Sequence, residues 1–321
     1  MRIVVLDSFT TDQGEPDAFW APLRALGEVV LHPRTAAGDV VQRCLGATAV
    51  LTNKVVLGAA ELSALPDLRY VGVVATGTNV VDLAAARAAG VVVTNVPGYA
   101  TDAVAQLVFA LILHFTHDVA GHSAAVRSGA WAAAPDYCFF RQPLTELAGK
   151  TLALVGSGAI GEAVARIAEA FGMKLVRGAV PGSATRAARV PLQQALALAD
   201  VVSLHCPLTP ATQGLVGARF LQAMRPDAIL INTGRGGLID EGALAHALDQ
   251  GRLRGVGLDV LSAEPPPAEH PLTRADAPWS RRVVITPHIG WGTIEARQRL
   301  ARAAADNLAA FVAGEPRHRV A

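Results

Sequence analysis

A chain of 321 residues is long for one hydrophobic core and points to two domains. At 51% hydrophobic, 17% charged and net charge +1 it reads as an alanine-, valine- and leucine-rich globular protein, with no basic field for nucleic acid or an anionic membrane. No apolar run approaches a bilayer span, MRIVVL leads straight into a strand pattern without a secretory leader, and Cys44, Cys138 and Cys206 are scattered without a C-x-x-C pair, so a cytoplasmic protein with no bound metal is expected.

The first hundred residues alternate short β-rich runs (2–6, 28–32, 47–51, 70–74, 91–94) with helical segments (16–26, 36–45, 59–65, 82–89). Such alternation predicts a parallel sheet covered on both faces. This stretch carries no phosphate-type glycine pattern. Next comes TDAVAQLVFALILHFTH at 101–117, helix-length and capped by Thr101 or Asp102. A helix this apolar is expected to be buried between domains and against a second copy of the chain. The aromatic stretch 131–147 has no regular period.

TLALVGSGAIGEAVARIAEAFG, at 151–172, organises the rest of the chain. A short apolar strand breaks into Gly156-Ser157-Gly158-Ala159-Ile160-Gly161 and continues as a helix. Strand, glycine turn and helix in that order form the context in which G-x-G-x-x-G binds a dinucleotide. The first glycine permits the tight turn, the second admits a pyrophosphate, and the third lets the helix close on its strand. The free N–H groups at the helix start carry partial positive charge for the phosphates. Beyond it, strands at 174–177, 200–205, 228–232, 255–260 and 282–286 alternate with helices at 192–198, 218–224 and 241–250. A long helix at 293–313 closes the chain. The expected fold is α/β: two doubly wound parallel-sheet domains, with a Rossmann dinucleotide-binding domain at 99–291 inserted into a flavodoxin-like substrate domain formed by 1–98 and 292–321.

In an open parallel sheet, ligands bind beyond the carboxyl ends of the strands. The residues falling there are the glycine turn, His205-Cys206-Pro207, Thr233-Gly234-Arg235, Asp259 with Glu264, and His288. Each has a plainer reading: Arg235 as a surface ion-pair partner, Glu264 as a solvated loop acid before three prolines, His288 as a packed histidine. Their convergence on one sheet edge favours chemistry. A guanidinium holds a carboxylate and a carbonyl oxygen with fixed geometry. A histidine supplies the proton that the oxygen takes up as hydride arrives at the carbon. A neighbouring carboxylate sets its tautomer and favours its charged form. The expectation is that Glu264 orients His288, His288 protonates the substrate oxygen and Arg235 binds the substrate. No other histidine shows metal-ligand spacing; His205 is a candidate wall of the cofactor pocket.

These stretches resemble the D-isomer-specific 2-hydroxyacid dehydrogenases over nearly the whole chain: GSGAIG at 156–161, HCPLT at 205–209, INTGRGGLID at 231–240, GLDVLSAEPP at 257–266 and TPHIGW at 286–291. The resemblance implies catalytic roles for Arg235, Glu264 and His288, and places Asp259 at the nicotinamide end of the cofactor. It further implies cofactor contacts from Thr101, Gly156, Gly158, Ala159, Ile160, Gly161, His205, Cys206, Pro207, Thr233, Gly234 and Gly290. In the first domain it implies a loop, ATGTN at 75–79, whose N–H groups at Ala75, Thr76 and Gly77 bind the substrate carboxylate, with Lys54 and Trp291 as further substrate residues. LTNKVVL at 51–57, NVPGYATDAVAQ at 95–106 and DYCFF at 136–140 are most similar to the glycerate dehydrogenase and hydroxypyruvate reductase branch. That branch implies NAD(P)-dependent reduction of hydroxypyruvate or glyoxylate, by a homodimer.

One departure concerns the cofactor. NAD-preferring members end the second strand with an acidic residue for the adenosine ribose; here KLVRGAVP places Ala179 there. NADP is therefore favoured over NAD, with Arg177, Ser183, Thr185 and Arg186 as candidate 2′-phosphate ligands. Two other readings stay open: a non-catalytic dinucleotide-sensing protein of the same fold, and a dehydrogenase of another small anion such as phosphite.

Overall fold

The computed structural model describes residues 1–183 and 189–321. It divides into two compact units, Met1–Ala100 with Trp291–Ala321, and Thr101–Gly290.

In the first unit the strands β1 (Arg2–Val5), β2 (Glu28–Leu31), β3 (Ala49–Thr52), β4 (Tyr70–Val73) and β5 (Val92–Thr94) form one parallel sheet in the order β2-β1-β3-β4-β5. That is the flavodoxin-like doubly wound order. Alternation along β1 divides the core: Val4 joins Val50 and Val71 on one face, while Ile3 and Val5 join Leu51, Tyr70 and Trp20 on the other. The closing helix, Ile294–Val312, lays Leu300, Ala304 and Leu308 on the second face. Thr293 caps it by accepting the Ala296 N–H at 3.2 Å. Tyr99 and Trp291 pack against this same cluster. These two residues and Ala100 therefore belong to the first unit, whereas the boundaries expected at 98/99 and 291/292 assign them to the second.

In the second unit β6 (Thr151–Val155), β7 (Lys174–Gly178), β8 (Val201–Leu204), β9 (Ile229–Asn232), β10 (Gly255–Leu258) and β11 (Val283–Ile285) form a parallel sheet in the order β11-β10-β9-β8-β6-β7. The strand order reverses between β6 and β8, which is where a doubly wound sheet opens a crevice for a ligand.

The helix Thr101–His117 packs on the sheet of its own unit. Its Val108, Phe109, Leu111, Ile112 and Phe115 are buried in the core of its own unit, with Leu152, Leu154 and Ile231. Two glycines of β10 let it lie close. A Cβ on Gly257 would stand 3.0 Å from Leu111 Cβ, and one on Gly255 would stand 2.5 Å from the Phe115 ring. This face of the helix is covered by its own sheet. A further helix, Val119–Arg127, has no clear apolar stripe in the sequence and is missed by periodicity. Asp118 starts it, with φ of 44° and its side chain accepting from the Gly121 N–H. No single helix among the described residues is long and apolar enough to cross a membrane.

Candidate active site

Strand register builds the site. Val155 pairs with Leu204, Leu204 with Asn232, Asn232 with Leu258, and Leu258 with Ile285. The residues that follow each of these, Gly156, His205, Thr233, Asp259 and Thr286, therefore stand side by side on the carboxyl edge of the second unit.

The glycine turn is demanded sterically. Gly156 has φ of +110°, and a Cβ there would lie 2.5 Å from the Cys206 nitrogen and the His205 carbonyl carbon. A Cβ on Gly161 would meet the Gly156 oxygen at 2.6 Å. Gly158 is different: a Cβ would touch nothing, so the glycine leaves open space above the helix start, where Ala159 is exposed and no side chain caps the helix. Thr233 Oγ1 is buried with no hydrogen-bond partner among the described residues. An open, uncapped helix N-terminus together with an orphaned hydroxyl across the sheet fits a dinucleotide.

His205 is half-buried, its Nε2 paired with Ser203 Oγ at 2.9 Å, and Cys206 behind it is buried. Desolvation pulls the His205 pKa down to about 4, so it is a neutral pocket wall at working pH. Between pH 6.5 and about 4 the unfolded chain binds this proton and the folded chain does not, so folding stability falls as pH drops through that window. Thermal denaturation in that range should show His205→Gln losing less stability on acidification than the wild type, by up to about 3 kcal/mol.

Asp259 is buried and fully engaged. It accepts from Thr286 Oγ1 at 2.6 Å and the Ile289 N–H at 2.9 Å on one oxygen, and from the Gly290 N–H at 2.8 Å on the other. A Cβ on Gly290 would come within 2.9 Å of that second oxygen. Asp259 thereby ties down the loop that carries His288. His288 takes a left-handed backbone, φ 53°, held by its N–H donating to the Asp259 and Thr286 carbonyls. That turn brings its Nδ1 to 2.6 Å from Glu264 Oε2, within hydrogen-bond reach. The other Glu264 oxygen accepts the Leu261 N–H at 3.0 Å.

Arg235 is exposed; its guanidinium donates to the Gly234 carbonyl at 2.8 Å and has no carboxylate partner among the described residues. Asn232 folds this turn, accepting the Gly234 N–H at 3.0 Å and donating to the Arg235 carbonyl at 2.9 Å. A Cβ on Gly236 would lie 1.9 Å from the Leu261 carbonyl, so this glycine lets the arginine turn close on the glutamate loop. Arg235, Glu264 and His288 line one open depression of about 440 Å³, with Leu208, Gly236 and Ser262.

Several supporting residues escape sequence reasoning. Glu241 is mostly buried and accepts from the Ser262 N–H and from His270 Nε2, at 2.8 and 2.9 Å, steadying the loop before Glu264. Nothing in the sequence separates it from any acidic residue at a helix start. In the first unit, Asp7 at the end of β1 accepts N–H groups from Asn53, Lys54 and Val55, which sets the loop bearing the exposed Lys54. Burial pushes the Asp7 carboxyl up. Asn53 holds the Val74 carbonyl and Asn95 holds that of Thr76, both at 2.7 Å. The N–H groups of Ala75, Thr76 and Gly77 have no backbone acceptor among the described residues, an arrangement suited to an anion. Trp291 is half-buried on the first unit's core, and Thr101 is the first residue of its helix.

At the far edge, Ala179 follows β7, so no carboxylate stands there. Arg177, a candidate phosphate ligand, pairs with Glu162 at 2.8 Å. Thr185 and Arg186 lie outside the described residues.

Residues 109–290 match the family described as D-isomer specific 2-hydroxyacid dehydrogenase, NAD binding domain. The chain is 40% identical over 323 residues to a hydroxypyruvate reductase of Blautia hydrogenotrophica, covering 98% of each. It is 42% identical over 280 residues to a glycerate dehydrogenase of Methylorubrum extorquens, covering 87% of each. A solved structure of a Thermus thermophilus protein superposes over 100% of both chains with a TM-score of 0.85 at 37% identity. The chain belongs to the D-isomer-specific 2-hydroxyacid dehydrogenase family and is an oxidoreductase that uses a nicotinamide cofactor.

Proposed function

We propose that the chain reduces hydroxypyruvate and glyoxylate to D-glycerate and glycolate, with NADP(H) preferred over NAD(H). The observation that carries this reading is the 2.6 Å Glu264–His288 pair sharing one depression with an Arg235 guanidinium that has no ionic partner among the described residues. The names of the relatives from Blautia and Methylorubrum support the substrate class.

The bound nicotinamide supplies the hydride. Arg235 orients the carbonyl oxygen and carboxylate through its planar fork. As negative charge gathers on that oxygen, His288 gives up the proton on Nε2, the ring nitrogen opposite the one engaged by Glu264. Glu264 keeps the ring in this tautomer and stabilises its charged form before transfer. In the oxidative direction the neutral ring takes the proton back. The N–H groups of Ala75, Thr76 and Gly77 receive the substrate carboxylate, with Lys54 and Trp291 completing the substrate residues. The glycine turn with Ala159 and Ile160 receives the pyrophosphate. His205, Cys206, Pro207, Thr233, Gly234, Asp259 and Gly290 shape the nicotinamide side, and Thr101 adds a further cofactor contact.

The test is oxidation of NADPH or NADH, followed by absorbance, across a panel of 2-keto acids. Hydroxypyruvate and glyoxylate are expected to be turned over fastest; no oxidation with any 2-keto acid would refute the reading.

The proposed assembly is a homodimer in the cytoplasm. Exposed side chains between the helix Val119–Arg127 and β6 support it: Trp131 is 53% exposed, Tyr137 90% and Phe140 68%. Sedimentation should give twice the chain mass, and Tyr137→Asp with Phe140→Asp should return it to the monomer.

A further inference from the structure

Val155 at the end of β6 pairs with Gly178 at the end of β7, so the residues beyond β7 flank the glycine turn. Here a dinucleotide-binding sheet meets the adenosine ribose, and an acidic residue or an arginine at this place decides between a hydroxyl and a phosphate on the 2′ position. Position 179 is alanine, and Arg177 pairs with Glu162. Another cation reaches this edge. Arg189 lies just before Val190, which bridges in parallel to Gly178. Its guanidinium donates from one nitrogen to Ser157 Oγ at 2.8 Å and from the other to Ser183 Oγ at 2.9 Å. Ser157 stands between the first two glycines of the turn, and Ser183 in turn donates to the Val180 carbonyl at 2.8 Å. No carboxylate pairs with Arg189 among the described residues.

From this geometry we infer that Arg189, with Ser157 and Ser183, is the site that selects a 2′-phosphorylated cofactor. A phosphate monoester matches the set: a planar guanidinium offering parallel N–H donors, and two hydroxyls that rotate to donate or accept. The glycine turn and the cation are joined by the Ser157 bond, so the turn that receives the pyrophosphate also places the cation for the ribose. A 2′-hydroxyl presents no charge to this cation, so the contact favours NADPH over NADH. The inference rests on the NADP reading above and sharpens it to one residue.

The experiment is titration calorimetry of the full chain with NADPH, NADH, 2′,5′-ADP and 5′-AMP, for the wild type, Arg189→Ala and Arg189→Lys. The wild type should bind NADPH and 2′,5′-ADP more tightly than NADH and 5′-AMP. Arg189→Ala should shrink each preference on the order of tenfold to a hundredfold, as expected when a hydrogen-bonded charge is removed. Arg189→Lys should restore part of it, since the charge returns without the fork. A wild type that prefers NADH sinks the NADP reading itself. A wild type that prefers NADPH, with the preference intact in Arg189→Ala, leaves that reading standing and overturns the assignment of Arg189.

Discussion

Turnover of hydroxypyruvate by His288→Asn is expected to fall roughly a hundredfold to ten-thousandfold below the wild type, the range that a positioned general acid supplies. That corresponds to about 3–5 kcal/mol of lost transition-state stabilisation. Asparagine is the better replacement, because residue 288 sits at φ 53°, a conformation that asparagine tolerates and alanine does not. The fold of the loop is then preserved, since Asp259 continues to hold the N–H groups of Ile289 and Gly290. Titration with NADPH should give an affinity close to that of the wild type, placing the defect in the chemical step. Glu264→Gln should be slower as well, because an amide nitrogen facing Nδ1 cannot accept its proton. The double variant should be little worse than His288→Asn alone, as for groups that act as a unit. Wild-type turnover by His288→Asn would remove the histidine from the mechanism.

Arg235→Lys should lower kcat/KM roughly a hundredfold to a thousandfold, a loss comparable to removing a preorganised donor to a developing oxyanion. Lysine keeps the charge and loses the planar fork, so the comparison isolates geometry from electrostatics. Both constants should move, with KM rising because the carboxylate is held less well and kcat falling because the contact strengthens as charge builds on the oxygen. The backbone should tolerate the change: the turn is folded by Asn232 and closed by Gly236, neither of which uses the arginine side chain. Steady-state kinetics decides the matter, and a kcat/KM within about threefold of the wild type would reassign Arg235 to the protein surface.

Much of the local structure is legible because one interaction dominates it. Strand and helix positions follow from apolar periodicity, and the bounds of β6 and of the helix Thr101–His117 agree with the pattern to the residue. The glycine turn is legible for the same reason: a positive φ and a 2.5 Å approach at Gly156 admit only one residue type. The helix Val119–Arg127 is not, since it has little apolar surface to bury and starts from an aspartate in a left-handed conformation. The destination of the helix Thr101–His117 is also illegible, because an apolar helix announces that it must be covered and does not say by what.

By itself the sequence determined the alternating elements, the dinucleotide turn and the residue types that gather at the carboxyl ends of the strands, because these depend on neighbours in the chain. Only the tertiary structure decided that Asp259 anchors the His288 loop, that Glu241 and His270 brace the loop of Glu264, and that Arg177 pairs with Glu162 while Arg189 reaches the glycine turn. Those outcomes depend on which hydrogen-bonding groups meet across tens of residues, and a carboxylate or guanidinium carries no mark in the sequence of the partner that will satisfy it.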